Sequence, residues 1–305
     1  MRRRHALATA LAGLALAVAT GAAAPRPDAL DPADPGWAQA PLWDDGKAEV
    51  STYAGTTERY GQIRPTTARI IVVKEDLVRA TMVKSDSGPV PGRTVEALKQ
   101  ILVADFPTGI YTYHQTAALF FARGTLAFLK EAMSHTESCG ITFVMVRAQG
   151  DHLVHEAHSY WEGEADRQVR VPWPAPKRPH VLWDALPLWL RSLPRGDGRG
   201  GPLAVWLLPT QVSGRAPLAS TRPVAATVRR TPGAAEPLRV RAGEIPAFRY
   251  TVESPAGRDT FWLAAAAPHP LVRLATAAGR RLELLKTQRL DYWNHHGLGD
   301  ERLLE

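Results

Sequence analysis

The residues best suited to carry chemistry lie between positions 152 and 164, where histidine and acidic side chains recur at every second position. Alternate side chains of a β-strand share one face, so the segment predicts a polar face formed by His152, Glu156, His158, Tyr160, Glu162 and Glu164. Imidazole and carboxylate groups at this spacing could bind a metal ion or exchange a proton. The spacing matches neither a zinc finger nor a His-Glu-x-x-His helix, so a solvated or ligand-facing surface without a metal is the favoured interpretation.

A second polar group lies between residues 47 and 64. Glu49, Ser51 and Tyr53 would share one face of a strand, and Arg59 and Arg64 could return across a hairpin to pair with Glu49. As a functional site, the two guanidinium groups would bind an anion or a polar head group. A partly buried cross-strand ion pair is the favoured interpretation, because opposite charges commonly stabilise neighbouring strands.

Cys139 is the sole cysteine, so the chain cannot form an intramolecular disulfide bond. It precedes the apolar segment 141–146, and buried packing is therefore the favoured role of its thiol. A catalytic pair, with Cys139 as the nucleophile and His158 as the base, is an alternative interpretation, because such partners need to be adjacent only in space. The sequence contains no Gly-x-Ser-x-Gly elbow, P-loop or dinucleotide-binding fingerprint. We therefore assign no catalytic residue, metal or cofactor from the sequence.

The first 24 residues have the three parts of a secretory signal peptide. A basic start at Arg2–His5 is followed by an apolar run at 6–19 and a small-residue exit at 20–24. The apolar run is too short to span a membrane, no cysteine follows it to carry a lipid, and no second long apolar run is present. We expect residues 1–22 to be removed and the mature protein to be periplasmic or secreted, without a transmembrane segment.

The charge of the chain argues against a nucleic-acid partner. The net charge is +7, and three arginines of the leader account for part of it, which leaves +4 on the mature protein. This charge is spread thinly along the sequence and forms no basic block. We therefore expect no nucleic acid among the partners.

Composition divides the rest of the chain into an arm and one domain. Residues 23–46 are rich in Pro, Asp and Ala and predict an extended arm. Residues 47–305 predict a single β-rich domain, with an N-terminal half at 47–171, a helical connector at 172–202, a C-terminal half at 203–293 and a loose tail at 294–305. Apolar residues at helical spacing in the connector predict one helix, kinked near Pro187, that packs on the sheet: Leu182, Trp183, Leu186, Trp189, Leu190 and Leu193.

Alternating polar and apolar residues predict β-strands in both halves. In the N-terminal half these patterns cover 48–54, 70–73 and 141–146, whereas 94–105 is compatible with both a helix and a strand. In the C-terminal half they cover 204–208, 224–230, 238–241, 247–253, 260–264, 271–275 and 281–288. Turn residues at 255–258 and 277–280 predict that the C-terminal strands form an antiparallel meander.

Four groups of residues resemble segments of a known family: 46–51 with 59–61, Phe106–Tyr113, Glu137–Gly140 and His158–Asp166. In this order, over most of 43–170, the chain resembles an uncharacterised group of exported bacterial envelope proteins that are often labelled septum formation inhibitor Maf. More weakly, the segments 260–262, 268–270 and 282–292 resemble the end of the β-rich domain of unknown function 3108. The resemblance implies one antiparallel fold with a strand at 94–105, and it implies no activity. True Maf nucleotide pyrophosphatases have a Ser-x-Ser-Pro-Arg-Arg opening that this chain lacks, so their activity is not expected here.

These observations predict a mainly β fold, with a large curved antiparallel sheet or incomplete β-barrel covered by one helix. Such a shape offers an interior that can hold one apolar ligand. The favoured function is non-enzymatic binding of a lipid-like or other amphiphilic molecule, or of a partner protein of the cell envelope. The alternatives are an enzyme that uses the His158 and Glu162 strand face, and a structural envelope factor. An apolar cavity would favour the first, converging acids and histidines the second, and a filled interior the third.

The signal peptide yields the first testable prediction. The mature N-terminus should begin near Ala23, because Thr20-Gly21-Ala22 gives a small-residue exit and Pro25 directly after the cut would be unfavourable. N-terminal sequencing of exported protein measures the cleavage position. A protein that keeps Met1 and stays in the cytoplasm would contradict both the cleavage and the localisation.

Overall fold

The computed structural model describes residues 34–173, 178–193, 195 and 201–304. The predicted signal peptide at 1–22, its cleavage site, and residues 23–33 of the predicted arm lie outside the described residues, as do residues 196–200 of the glycine-rich part of the connector. All statements on the fold below concern the described residues.

The chain forms one large sheet of β-strands. Its N-terminal strands are β1 (Ala48–Arg59), β2 (Gln62–Val78), β3 (Val83–Lys84), β4 (Thr94–Pro107), β5 (Thr112–Ala122), β6 (Phe128–Glu137), β7 (Gly140–Gln149), β8 (His152–Ser159) and β9 (Arg167–Pro172). Its later strands are β10 (His180–Leu182), β11 (Leu203–Leu208), β12 (Val224–Arg230), β13 (Glu236–Val240), β14 (Gly243–Ser254), β15 (Gly257–Ala264), β16 (Leu271–Ala275) and β17 (Arg281–Leu290). The segment at 94–105 is thus a strand, and each strand predicted in the C-terminal half is present with bounds that differ by a few residues.

The pairing of strands follows chain order within each half of the sheet. From β1, antiparallel ladders lead through β2, β4, β5, β6, β7 and β8 to β9. On its other side β1 pairs with β17, and antiparallel ladders continue through β16, β15, β14 and β12 to β11, which pairs in parallel with β10. The β1–β17 ladder therefore joins the two halves, and the predicted antiparallel sheet is confirmed.

The two end strands of this sheet, β9 and β10, approach each other without forming a ladder among the described residues. The rings of Trp173, after β9, and His180, in β10, have centroids 4.5 Å apart. At the other end of β9, Glu164 accepts hydrogen bonds from the Ala216 backbone N–H at 2.8 Å and from Arg215 Nε at 2.9 Å. Side chains and loops thus bridge the gap, and the sheet is a curved, incompletely closed barrel.

The connector lies inside this curved sheet as a plug, which we define as residues Trp183–Leu193. It contains a 3-10 turn at Trp183–Ala185, the short helix α1 at Leu186–Trp189 and a second 3-10 turn at Leu190–Ser192. Pro187 lies in the first turn of α1, where its missing N–H is tolerated, and the helix predicted to be broken or kinked near Pro187 is divided into these three short segments. Every residue of α1 is buried, because the sheet surrounds the plug rather than covering a single face. A helix is thus present in the predicted connector, but it is a single turn that lies inside the sheet and does not cover it.

Both ends of the described chain pack onto the sheet. Residues 34–46 were predicted to be extended, but they form 3-10 turns at Pro35–Gln39 and Pro41–Asp44, with Trp43 only 2% exposed. The tail predicted to be loose also makes contacts, because Leu304 packs on a small cluster that contains Ala48 and Val50. Gln288 donates to the Leu303 carbonyl at 2.5 Å. In both segments, contacts with distant strands determine the structure rather than local composition.

Glu49 forms a buried ion pair with Arg191 of the plug, and not with Arg59 or Arg64. Arg191 donates from Nη1 and Nη2 to the two carboxylate oxygens of Glu49 at 2.9 and 2.8 Å, and both side chains are 1% exposed. The hairpin of β1 and β2 places Arg59 opposite Gln62 and Arg64 opposite Thr57, at the far end of the strand from Glu49. Ten residues of strand separate Glu49 from Arg59, which corresponds to about 33 Å. The predicted cross-strand pair is therefore replaced by a pair between the sheet and the plug.

We expect Glu49→Ala to lower the free energy of unfolding by about 3–5 kcal/mol, because the Arg191 charge stays buried without its partner. Glu244→Ala changes an exposed acid of β14 and serves as the matched control, with an expected loss of at most about 0.5 kcal/mol. Denaturant titration measures both values. A double-mutant cycle should show strong coupling of Glu49 with Arg191 and none with Arg59, and coupling to Arg59 instead would contradict this pairing.

Candidate functional site

A cavity of about 300 Å³ opens at one end of the curved sheet. This end holds the β1–β2 turn, the β4–β5 turn, the β14–β15 turn and the turn before β17. The polar and aromatic residues that line the cavity come from these strand ends and from the first residue of the plug: Arg59, Tyr113, Gln115, His135, Trp183 and Arg280. We call this space the mouth cavity.

A tight turn positions Arg59 at the mouth cavity. Tyr60 and Gly61 both have positive φ angles, 55° and 66°, and connect Arg59 directly to its ladder partner Gln62. Two such residues in a two-residue hairpin match the twist of the flanking strands. The Arg59 guanidinium lies over the Tyr60 ring at 4.5 Å and the Tyr113 ring at 5.3 Å, and the two tyrosine hydroxyls are 2.7 Å apart. Arg59 is thus held by aromatic rings rather than by a carboxylate.

A chain of hydrogen bonds connects Arg280 with His135 across the mouth cavity. Arg280 donates from Nε to Thr57 Oγ1 at 3.2 Å and from Nη2 to Gln115 Oε1 at 2.6 Å. The amide nitrogen of Gln115 lies 3.2 Å from His135 Nδ1, in neighbouring positions of β5 and β6. Because the amide nitrogen can only donate, Nδ1 accepts and the imidazole proton lies on Nε2. Burial lowers the pKa of His135 to about 4, so this histidine is neutral near pH 7.

Two buried carboxyl groups lie behind the mouth cavity, on Glu131 of β6 and Asp184 of the plug. Asp184 accepts hydrogen bonds from Thr210 Oγ1 and the Gln211 backbone N–H, both at 2.6 Å. Within the described residues, neither oxygen of Glu131 receives a donor. Burial, and then the neighbouring Asp184 charge, raise the pKa of Glu131 well above its ordinary range. Burial raises the pKa of Asp184 as well, although its bonds to Thr210 and Gln211 oppose the shift. Glu131 lacks such bonds, so it holds a proton more tightly than Asp184 does.

The structure brings only one of the sequence-predicted binding residues to the mouth cavity, Arg59. Glu49 is bound to Arg191, and the Tyr53 hydroxyl donates to the Leu271 carbonyl at 2.9 Å in the core. Arg64 lies on β2 and does not line the cavity. These predicted binding residues therefore do not form one site. Glu49 and Tyr53 lie in the core, Arg64 lies on β2, and Arg59 lines the cavity.

The polar face predicted for residues 152–164 is shorter than the pattern suggested, because β8 ends at Ser159. His158 is exposed at the end of the strand, with Nδ1 2.8 Å from an Asp166 carboxylate oxygen. Tyr160 and Glu162 lie in the following turn, so neither continues the strand face. Glu164 is buried by its bonds to the 215–216 segment and does not share the solvated face.

Cys139 lies in the exposed turn between β6 and β7, so the predicted burial of its thiol is wrong. The two-residue connection Ser138-Cys139 places the cysteine at the tip of a hairpin, where side chains face solvent. A hydrogen bond to Glu137 raises the pKa of the thiol. A raised pKa disfavours the reactive thiolate, and the geometry gives no support to a nucleophile at this position.

The cavity-lining residues that the sequence analysis did not assign to a site include Gln115, His135, Trp183 and Arg280. Each comes from a different segment, and no spacing along the chain relates them.

Across the described parts of the chain, no cluster of three or more His, Cys, Asp or Glu residues is placed to hold a metal ion. No helix in those parts is both long enough and apolar enough to cross a lipid bilayer.

No family model matches the chain, and no curated protein matches it. Among solved structures, the chain is similar to the crystal structure of a beta-barrel-like protein of the domain of unknown function DUF1849 from Brucella abortus. The two share 11% sequence identity with a TM-score of 0.48, over 80% of this chain and 98% of that chain. The match is to an uncharacterised β-rich protein, and it supports neither the Maf label nor the resemblance to domain of unknown function 3108.

The Glu131 proton makes stability depend on pH. Glu131 has an ordinary pKa of 4.5 when unfolded and a higher pKa when folded, so folding takes up a proton above about pH 4.5. The free energy of unfolding therefore falls as the pH rises from about 4.5 to the higher pKa of Glu131 in the folded protein, and this range is the window in which the effect is measured. Glu131→Gln provides a neutral side chain at every pH, so its stability relative to wild type should increase with pH by about 1.4 kcal/mol per unit within the window.

Denaturant titrations of both proteins between about pH 4 and 8 measure this difference. The exposed Glu244→Gln variant is the matched control and should give a difference that does not change with pH. A pH-independent difference for Glu131→Gln would show that Glu131 is ionised in the folded protein.

Proposed function

We propose that this protein binds a small amphiphilic molecule, non-covalently, in the mouth cavity. The observation that carries the proposal is the cavity itself, a space of about 300 Å³ at one end of a sheet whose interior holds the plug. Ligand sites of proteins are typically concave, with apolar walls and a few polar groups that orient the ligand. Apolar side chains of this kind line the cavity, including Phe106, Leu207, Val212 and Val224, beside the arginines and Gln115.

Exposed apolar side chains around the mouth support an amphiphilic ligand. Antiparallel hairpins place the β1–β2, β4–β5, β6–β7 and β8–β9 connections at the same end of the sheet as the cavity. Exposed apolar residues lie in these connections or beside them: Tyr60, Ile63, Ile110, Ile141 and Tyr160. Such residues provide an apolar path for a molecule that leaves a lipid surface or a partner protein. The proposal therefore includes the expectation that the protein works in the cell envelope after export.

The alternative functions receive less support from the geometry. An enzyme that uses His158 and Glu162 would need these groups to converge, but His158 is at a strand end and Glu162 is in the following turn. A purely structural role would leave the interior filled, and the plug does fill most of it. The mouth cavity is the feature that such a role does not require.

A cavity-filling substitution tests the proposed function. Val224 lines the cavity, whereas the next residue of β12, Ala225, is exposed on the opposite face. We expect Val224→Trp to weaken binding of an uncharged dansyl alkyl amide at least about tenfold, because the indole occupies the ligand space. Ala225→Trp is the matched control and should leave binding unchanged.

Fluorescence titration measures both affinities, and thermal unfolding checks that both variants fold. Native mass spectrometry of protein purified from its own compartment should also show a retained small molecule that Val224→Trp lacks. Equal binding by the two variants, or no binding by the wild-type protein, would contradict the mouth cavity as a ligand site.

A further inference from the structure

Arg280 is a partly buried cation in the wall of the mouth cavity, and no acid of the described residues is bound to it. Two of its three guanidinium nitrogens are occupied, Nε by Thr57 and Nη2 by Gln115, and both partners are uncharged. No carboxylate oxygen of the described residues lies within 4.0 Å of it. The acid whose charge acts on Arg280 is Asp184, whose oxygens are already bound by Thr210 and the Gln211 backbone. The third nitrogen, Nη1, is left without a hydrogen-bond acceptor among the described residues.

An anion in the mouth cavity would complete the partner set of Arg280. A buried charge is costly when it is neither paired nor fully hydrogen-bonded, and buried arginines are normally bound to carboxylate or phosphate groups. Arg280 differs from Arg191, the fully buried guanidinium of the plug, which has a carboxylate on two nitrogens. Arg280 lines the mouth cavity, so an anion can reach it from there.

We propose that the mouth cavity binds a singly charged carboxylate amphiphile, with the carboxylate on Arg280 and the hydrocarbon part on the apolar walls. This inference rests on the proposed function and names the chemical class of its ligand. Burial also lowers the pKa of Arg280, which agrees with a guanidinium that lacks a counter-charge.

The charges of the cavity lining favour one negative charge over two. The lining contains two arginines, Arg59 and Arg280, and two acids, Glu58 and Asp259, while His135 is neutral near pH 7. Asp259 is bound by Trp183 Nε1 at 2.6 Å and by a backbone N–H at 2.8 Å, so its charge is fixed at the wall. A carboxylate adds one negative charge to this balanced lining, whereas a phosphate dianion would add two. A carboxylate needs only the one unoccupied nitrogen of Arg280.

The size and walls of the cavity indicate a medium-length hydrocarbon part. A volume of about 300 Å³ is at the lower end of the range for small-molecule sites. The Trp183 ring is fixed by its bond to Asp259 and forms part of the wall, together with Leu207 and Val212. These groups offer contact area to an alkyl chain and no further hydrogen-bonding partner for one.

Three ligands of ten carbon atoms each test the head-group preference in the unmodified protein. Isothermal titration calorimetry at about pH 7 compares decanoate, decanol and decylamine. We expect decanoate to bind at least about tenfold more tightly than decanol, because a hydrogen bond to a charged group contributes more than one between neutral groups. Decylamine should bind more weakly than decanol, because its ammonium group would lie beside Arg280.

Two arginine variants then assign the preference to one residue. Arg280→Gln should lose at least about tenfold in affinity for decanoate and keep its affinity for decanol. Arg281→Gln changes the next residue, which is exposed and does not line the cavity, and should keep both affinities. The comparison in wild-type protein does not depend on whether Arg280→Gln folds.

The outcomes separate this inference from the proposed function. If decanoate and decanol bind with equal affinity, and Val224→Trp abolishes both, the cavity is a ligand site and the carboxylate preference is overturned. If Arg281→Gln loses the decanoate preference and Arg280→Gln keeps it, the assignment to Arg280 is overturned. If none of the three ligands binds and the dansyl probe also fails, the proposed function and this inference are both overturned.

Discussion

The positive charge of Arg191 has to be neutralised inside the curved sheet, and this requirement fixes the position of the plug. Glu49 binds two of its nitrogens, the Pro268 carbonyl accepts from Nη1 at 3.2 Å, and the Trp37 ring lies under the guanidinium at 5.6 Å. These partners come from β1, the β15–β16 turn and the 34–46 segment. A buried ion pair contributes little net stability compared with apolar packing, but a broken one is very unfavourable. The main effect of the ion pair is therefore on the position of the plug, because any other position would break the pair.

The opposite end of the plug is held by hydrogen bonds from uncharged groups and lies beside the Glu131–Asp184 pair, which carries one negative charge. The Gln100 side chain donates to the Asp184 backbone carbonyl at 2.7 Å, and Thr210 and Gln211 donate to its carboxylate. Two ionised acids so close together in a buried site would repel each other strongly, so Glu131 retains its proton. The plug is thus joined to the sheet by polar contacts at both ends and by leucines between them, such as Leu186 and Leu188.

The sequence predicts the strands of the C-terminal half well because alternation is a local property, whereas β5, β6 and β9 of the N-terminal half were not predicted. Each strand of the C-terminal half follows such a pattern, and β4 was ambiguous because both faces of its segment Ala97–Gln100 are buried, which removes the alternation. Partners distant in the chain leave no local signal. Glu49 and Arg191 are separated by 142 positions, and Arg280 and Gln115 by 165, so neither pair follows from spacing. Proline and aspartate in 34–46 are typical of an extended segment, and only contacts with distant residues bury Trp43.

The mouth cavity exists because the plug begins at Trp183 and runs away from that end of the sheet. Trp183 is bound to Asp259 through its indole nitrogen, so the first ring of the plug becomes a wall of the cavity. Thr210 also lines the cavity, and its hydroxyl is the donor to Asp184. One hydrogen bond therefore separates the ligand space from the buried acid pair. The charge of Asp184 acts on both Arg280 and Glu131. The charge in the cavity and the protonation of Glu131 are therefore coupled through Asp184. An anion bound at Arg280 would raise the proton affinity of that acid pair, since like charges in a buried site disfavour ionisation.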